Sequence, residues 1–172
     1  MNLNGIHKVY FIGIGGIGMS ALARYFNQKK VQIAGYDRTA TNLTRELESE
    51  GIAIHYEDSV SLIPSVFSSP ENRQDTLIVY TPAVPIDHTE LNWFRDNGFM
   101  ICKRSELLGA FTRQMTTLAV AGTHGKTTTS TITAHLLYQS QVTCSAFLGG
   151  ISNNYNTNLL LSKNSNLVVI EA

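Results

Sequence analysis

The chain has 172 residues, of which thirteen are basic and thirteen acidic, and so carries no formal net charge. That balance argues against a nucleic-acid or anionic-membrane surface, and any polyphosphate ligand must be held by local geometry rather than by a global field. Its 43% hydrophobic content suffices for a packed core, while Cys102 and Cys144 have neither metal nor disulfide spacing and read as buried thiols of a reducing compartment. The sequence has no apolar leader and no run of membrane-spanning length, and a cytoplasmic location is the expectation.

Lys8 to Ile12 reads as a short apolar strand, followed at once by Gly13-Ile-Gly-Gly-Ile-Gly18. Met19, Leu22, Ala23 and Phe26 then recur at helical spacing. In this strand–glycine loop–helix unit Gly13 makes the turn, and Gly15 lets a pyrophosphate approach. Gly16 lies inside the loop, and Gly18 lets the helix pack on the strand. A second strand, Val31 to Tyr36, ends at Asp37, nineteen residues after Gly18. That spacing fits a dinucleotide site with Asp37 on a ribose hydroxyl, and it fits equally a solvated residue at a strand end. The glycine loop recognises only a pyrophosphate and leaves the identity of the nucleotide open.

Leu43 and Leu47 mark a helix stopped by Gly51, and Ile52 to Ile54 form a short strand. Asp58 to Arg73 reads as a weak helix ending near Pro64, then a polar loop. Leu77 to Tyr80 is a wholly apolar strand of the buried parallel kind, running into the loop Thr81-Pro-Ala-Val-Pro85. That loop stands where a strand end faces a ligand, which makes Thr81 a candidate contact. Asp87-His-Thr-Glu90 resembles a capping box with Asp87 as the cap. A helix carrying Leu91 and Phe94 follows, closed by Gly98, and then a strand from Phe99 to Cys102. This alternation predicts an α/β fold, a Rossmann-like doubly wound parallel sheet over residues 1–105.

Lys103 to Gln114 is expected to be a helical bridge into a second domain, residues 106–172. There the apolar run Thr117 to Ala121 feeds the turn Gly122-Thr-His-Gly125, and Lys126, three threonines and a helix ending near Ser140 follow. Backbone N–H groups of such a turn and the helix N-terminus converge on phosphate. Lys126 reaches the terminal phosphates and the Thr127 hydroxyl suits Mg²⁺. The pattern G-x-x-x-x-G-K-[ST] places glycine at position 120, where this chain has Val120. Val142 to Phe147 reads as a strand and Leu148 to Asn158 as a glycine- and asparagine-rich loop. Leu167 to Ile170 is an apolar strand ending in Glu171, a carboxylate placed to ligate the metal of a phosphate loop. The domain is expected to be the start of a P-loop ATPase domain.

The segment Ala-Gly122-Thr-His-Gly-Lys-Thr-Thr-Thr129 resembles the ATP loop of the Mur ligases, which build the peptidoglycan peptide and whose loop also lacks the first glycine. Gly13 to Met19, Thr81-Pro-Ala-Val84, Arg104-Ser-Glu-Leu-Leu108 and Ile170-Glu-Ala172 are similar to further segments of that family. In the loop after the third strand, where the family commonly has a histidine, this chain has Glu57-Asp58. The resemblance implies that Gly13, Gly15, Gly16, Gly18, Asp37 and Thr81 serve a UDP-sugar rather than a nicotinamide cofactor. It implies ATP on Gly122, Thr123, His124, Gly125, Lys126, Thr127 and Thr128, with Lys126 catalytic and Mg²⁺ on Thr127 and Glu171. The implied substrates are UDP-N-acetylmuramate and L-alanine, joined through an acyl phosphate. These ligases have three domains, so the chain is expected to be an N-terminal fragment, inactive by itself. The competing readings are an NAD-dependent oxidoreductase module and a non-catalytic nucleotide-binding regulator.

Overall fold

A computed structural model describes residue 3 and residues 5–171. The chain divides into two compact units, Met1–Leu107 and Leu108–Ala172.

The first unit is a five-stranded, wholly parallel sheet in the order β3-β2-β1-β4-β5. Its strands are β1 (Lys8–Ile12), β2 (Gln32–Tyr36), β3 (Ala53–His55), β4 (Thr76–Tyr80) and β5 (Met100–Lys103). Its helices are α1 (Ile17–Gln28), α2 (Asn42–Ser49), the single turn α3 (Ser65–Ser68) and α4 (Thr89–Asp96). Val9 to Ile12 and Leu77 to Val79 are fully buried, as strands covered on both faces require. On one side Tyr10, Phe67, Phe94 and Phe99 form an aromatic cluster with ring centroids 5.1–5.7 Å apart. Arg24 of α1, itself buried, pairs with Glu46 and Glu50 and ties α1 to α2. The direction of winding reverses between β1 and β4, so the loops leaving these strands diverge and open a crevice at their C-terminal ends.

Two local readings are corrected here. Residues 58–73 hold no weak helix ended by a proline. Short 3₁₀ turns at Val60–Leu62 and Pro70–Asn72 flank α3, and Pro64 is the residue that starts α3. Proline lacks only an N–H that a first helical turn leaves unbonded anyway, so it begins such a turn more readily than it ends one. The cap of α4 is His88 rather than Asp87: its side chain accepts from Leu91 N.

Helix α5 (Arg104–Thr112) contains the division between the units. The second unit is a four-stranded sheet, order β6-β9-β7-β8. It comprises β6 (Thr116–Val120), α6 (Lys126–Gln139), β7 (Ser145–Ser152), β8 (Thr157–Leu160) and β9 (Leu167–Glu171). β6, β9 and β7 run parallel, and β8 is antiparallel to β7. The stretch expected to be a loop from Leu148 to Asn158 is thus mostly a hairpin. Its glycines lie inside β7, because β9 presents a side chain that needs the room. Ala134, Cys144, Ala146, Leu148, Leu160 and Val169 form the core of this unit. No helix among the described residues is long and apolar enough to cross a membrane.

Candidate functional site

Each unit ends a parallel strand in a glycine turn that opens a helix, and each turn is a candidate site. In the first unit Gly13 has φ +85°, a conformation that strains other residues. The N–H groups of Gly13 and Ile14 both donate to the Tyr36 carbonyl, at 2.8 and 3.0 Å, so the loop is stitched to the end of β2. Gly15 N–H donates to Asp37 Oδ2 at 2.7 Å, and Thr39 N–H to Asp37 Oδ1 at 3.1 Å. The Asp37 carboxylate therefore shapes the glycine loop from within. A Cβ on Gly18 would stand 3.0 Å from the Arg104 guanidinium, so Gly18 makes room for Arg104 at the start of α1. That helix has no side-chain cap and no acid in its own first turn.

A cleft of about 600 Å³ opens beside this loop. Gly13, Gly15, Gly16, Asp37 and Thr81, all expected from sequence, line it. Gly18 is not among its lining residues. Tyr36, Arg38, Asp58, Val84 and His88 also line it, and sequence reasoning missed them as site residues. The Thr81-to-Pro85 loop pointed to Val84 and the Glu57-Asp58 departure to Asp58, while the Asp87-to-Glu90 box touched His88 but named the wrong cap. Asp58, at the position where a family histidine was expected, accepts from the N–H groups of Thr89 (2.8 Å) and Glu90 (3.0 Å). Burial works against its charge, but those donors and His88 outweigh it and hold the carboxyl below the usual range. The imidazole on the cleft wall is His88, with Nδ1 3.2 Å from Asp58 Oδ1.

Behind this wall lies a buried proton-sharing group. Tyr10 Oη is 2.6 Å from His55 Nε2 and 2.7 Å from Glu90 Oε2. His55 Nδ1 lies 2.9 Å from the Glu57 carbonyl, which only accepts, so Nδ1 carries hydrogen. Tyr10 has one hydroxyl hydrogen for two neighbours: it is donated to Glu90 Oε2 when that carboxyl is ionised, and to Nε2 of neutral His55 when Glu90 is protonated and donates in turn. Burial, against the hydrogen bonds from Tyr10 and Ser59, raises the Glu90 carboxyl to about 7, and burial lowers His55. Both shifts favour the uncharged pair.

In the second unit Gly125 caps α6 with φ +75°, and α6 also begins with neither a side-chain cap nor an acid. Lys126 Nζ donates to the Gly122 carbonyl at 2.9 Å, folding the lysine back over its own turn. Gly122, Thr123, His124, Gly125 and Thr128 are exposed around it. β6 and β9 place Val120 opposite Glu171, so the strand-end acid arrives beside the turn. Thr127 Oγ1 donates to Glu171 Oε2 at 2.9 Å, joining two residues forty-four apart in sequence. Gly149 makes this possible, since a Cβ there would come within 1.9 Å of Glu171 Oε2. Expected site residues thus converge here, and Gly149, read as loop, belongs with them. Burial pushes the Cys102 thiol to about 12 and also raises Cys144, so neither is a nucleophile at neutral pH.

This pair of glycine turns has counterparts in known proteins. Residues 8–116 match the model of the Mur ligase family, catalytic domain. The chain is 61% identical over 165 residues to a UDP-N-acetylmuramate–L-alanine ligase of Porphyromonas gingivalis, covering 96% of the chain and 36% of that protein. It is 55% identical to the enzyme of the same name from Cytophaga hutchinsonii, covering 94% and 34%. The crystal structure of a UDP-N-acetylmuramate-alanine ligase from Thermotoga maritima superposes with a TM-score of 0.81 at 30% identity, covering 95% of the chain and 37% of that protein. The chain thus spans a little over a third of the length of the relatives it matches. A family model that takes in the whole first glycine-loop unit, and identity that runs on through the second turn, lead to one statement: this chain belongs to the Mur ligase family.

Proposed function

We propose that the chain forms part of an ATP-dependent ligase that joins L-alanine to the carboxylate of UDP-N-acetylmuramate, in peptidoglycan precursor synthesis. The observation that carries this reading is the 61% identity to a relative bearing that name, over 96% of the chain. In this reading residues 1–105 are the UDP-sugar domain and residues 106–172 begin the P-loop ATPase domain. The start of α1 faces the diphosphate, and Gly13, Gly15, Gly16 and Thr81 leave the space it occupies. Asp37 fixes the loop, and Gly18 acts through packing against Arg104. Gly122, Thr123, His124, Gly125 and Thr128 surround the ATP phosphates.

Lys126 opposes the charge that develops on the transferred phosphoryl group, the kind of contact whose removal costs ~10²–10³ in turnover. No group of three or more His, Cys, Asp or Glu side chains able to hold a metal occurs among the described residues. One hydroxyl and one carboxylate, Thr127 and Glu171, nevertheless fit Mg²⁺, which binds few protein oxygens and completes its shell with water and substrate phosphate. Bound there, Mg²⁺ would neutralise phosphate charge. The muramate carboxylate takes the γ-phosphoryl group from ATP, releasing ADP, and the alanine amine then displaces phosphate from the acyl phosphate. Buried free thiols and two nucleotide substrates fit a cytoplasmic enzyme.

Titration calorimetry of the chain with UDP-N-acetylmuramate and with NAD tests the proposal. Heat from the UDP-sugar and none from NAD is expected. The reverse result would make the first unit an oxidoreductase module and overturn the assignment.

A further inference from the structure

Among the described residues between β3 and β4, Asp58 alone lines the cleft, with its side chain 28% exposed. Its two neighbours in the chain are both held from behind. The Glu57 carbonyl is 2.9 Å from His55 Nδ1, and Ser59 N–H donates to Glu90 Oε1 at 3.2 Å. Neither His55 nor Glu90 lines the cleft, and Glu90 is fully buried. Tyr10 Oη joins the two, 2.6 Å from His55 Nε2 and 2.7 Å from Glu90 Oε2. The buried group therefore grips the segment on either side of the residue that faces a ligand. Asp58 itself receives the N–H groups of Thr89 and Glu90, which ties the same segment to the start of α4.

The proton count of the group decides whether that grip is complete. With Glu90 protonated, Glu90 donates to Tyr10, Tyr10 to His55 Nε2, and His55 Nδ1–H to the Glu57 carbonyl. With Glu90 ionised, Tyr10 donates to Glu90 instead, and lone pairs on Tyr10 Oη and His55 Nε2 face one another at 2.6 Å. His55 escapes by moving its hydrogen from Nδ1 to Nε2, which releases the Glu57 carbonyl. The new carboxylate also repels Asp58 across a buried, poorly screened gap. We propose that one proton on the Tyr10–His55–Glu90 group positions Asp58 in the cleft wall, so that the nucleotide sugar binds tightly while the group is uncharged and weakly once that proton is lost. Glu90 is then a positioning residue that never touches the ligand. This rests on the reading of the cleft as a nucleotide-sugar site, and adds a proton to its binding equilibrium.

The groups that face Glu90 leave it to titrate by itself around neutrality. Burial places Glu90 at about 7 and pushes Tyr10 and Tyr36 upward. Burial opposes the charge on Asp58, but the Thr89 and Glu90 N–H groups outweigh it and keep the carboxylate ionised. His55 and His88, both lowered by burial, change state at lower pH.

The test is calorimetry of the chain and its Glu90→Gln variant with UDP-N-acetylmuramate, a ligand without a group that titrates near neutrality. Wild type is expected to bind about tenfold more weakly at about pH 8.5 than at about pH 6.5, on the order of one linked proton. Glutamine keeps an acceptor for Ser59 N–H and a donor for Tyr10, and it has no proton to lose. Glu90→Gln should therefore bind at both pH values as wild type binds at the lower one. A wild-type affinity that is flat with pH would overturn the inference, and so would a variant that keeps the wild-type slope. Should Glu90→Gln fail to fold, wild-type titrations at about pH 7.5 in buffers of different ionisation enthalpy decide: proton uptake on binding is expected, and its absence refutes the linkage. A wild-type chain that binds the nucleotide sugar at neither pH would instead remove that reading of the cleft, and this inference with it.

Discussion

The two units use one backbone device and dress it with different chemistry. Both end a parallel strand in a glycine turn, and both start a helix with no side-chain cap and no acid in its first turn. In the first unit the side chain nearest the turn is an acid, Asp37, which holds the loop through Gly15 N–H. In the second it is a cation, Lys126, with the Thr127 hydroxyl held by Glu171. A turn held by an acid suits a diphosphate that is bound and not broken. A turn with a lysine and a hydroxyl–carboxylate pair suits a phosphate that must be charge-neutralised while it moves. The packing differs in the same sense. β1 is fully buried from Val9 to Ile12, whereas β6 has no fully buried residue, and Ile132 and Leu136 of α6 are 55% and 65% exposed.

The sharpest way to break this contrast is at Lys126. Lys126→Ala is expected to weaken Mg-ATP binding by about a hundredfold, as removal of a cation from a phosphate cradle does, while leaving UDP-sugar affinity unchanged. Calorimetry with each ligand measures both, and equal losses would mean that the turns are not independent. Next in size is Gly149→Ala. Its Cβ would meet Glu171 Oε2 at 1.9 Å, so Glu171 must leave Thr127. A tenfold or greater loss of the Mg²⁺ dependence of ATP binding is the expected outcome, on the order of one charge-assisted contact. Retention of that dependence would remove Glu171 from the metal site. Asp37→Ala should cost the UDP-sugar about fivefold, by loosening the Gly15 turn, and should leave ATP binding untouched.

The smallest effect is on stability against pH and concerns the first unit alone. Glu90, raised to about 7 from its ordinary 4.5, gives a contribution that is complete below 4.5 and is lost as pH rises through 7. The lowered His55 and His88 act in the opposite direction, but only below their ordinary 6.5. Tyr10, Tyr36 and Asp58, the other titratable groups around Glu90, are shifted away from this window. Between pH 6.5 and 8 the first unit should lose on the order of 1 kcal/mol. Urea unfolding followed at Trp93 measures it, and Glu90→Gln should flatten the slope. A wild-type slope that is already flat would contradict the uncharged Tyr10–His55–Glu90 arrangement.

What the sequence made legible follows from how local each signal is. β1, the glycine turns and the parallel first sheet depend on apolar runs and neighbouring glycines, and they can be read from a few consecutive residues. Glu171 was readable as a strand-end acid because strand and acid are adjacent. The cap of α4 was not, because its N–H groups are satisfied by Asp58, thirty-one residues before Thr89. Nor was the second half of β7, read as strand only as far as Phe147, since Gly149 and Gly150 signal a loop until β9 brings Glu171 across them. The His88 side of the cleft depends on the same long-range pairing with Asp58, and no local pattern announces it.

The central claim, two cradles with two ligands, is tested most directly by amide chemical-shift mapping of the chain. UDP-N-acetylmuramate should perturb Gly13 to Gly18, Asp37 and Thr81 and leave Gly122 to Thr128 in place. Mg-ATP should perturb Gly122 to Thr128, Gly149 and Glu171 and leave the first loop in place. If both ligands instead move the same set of amides, or NAD displaces UDP-N-acetylmuramate from the first set, the assignment of the two turns is wrong.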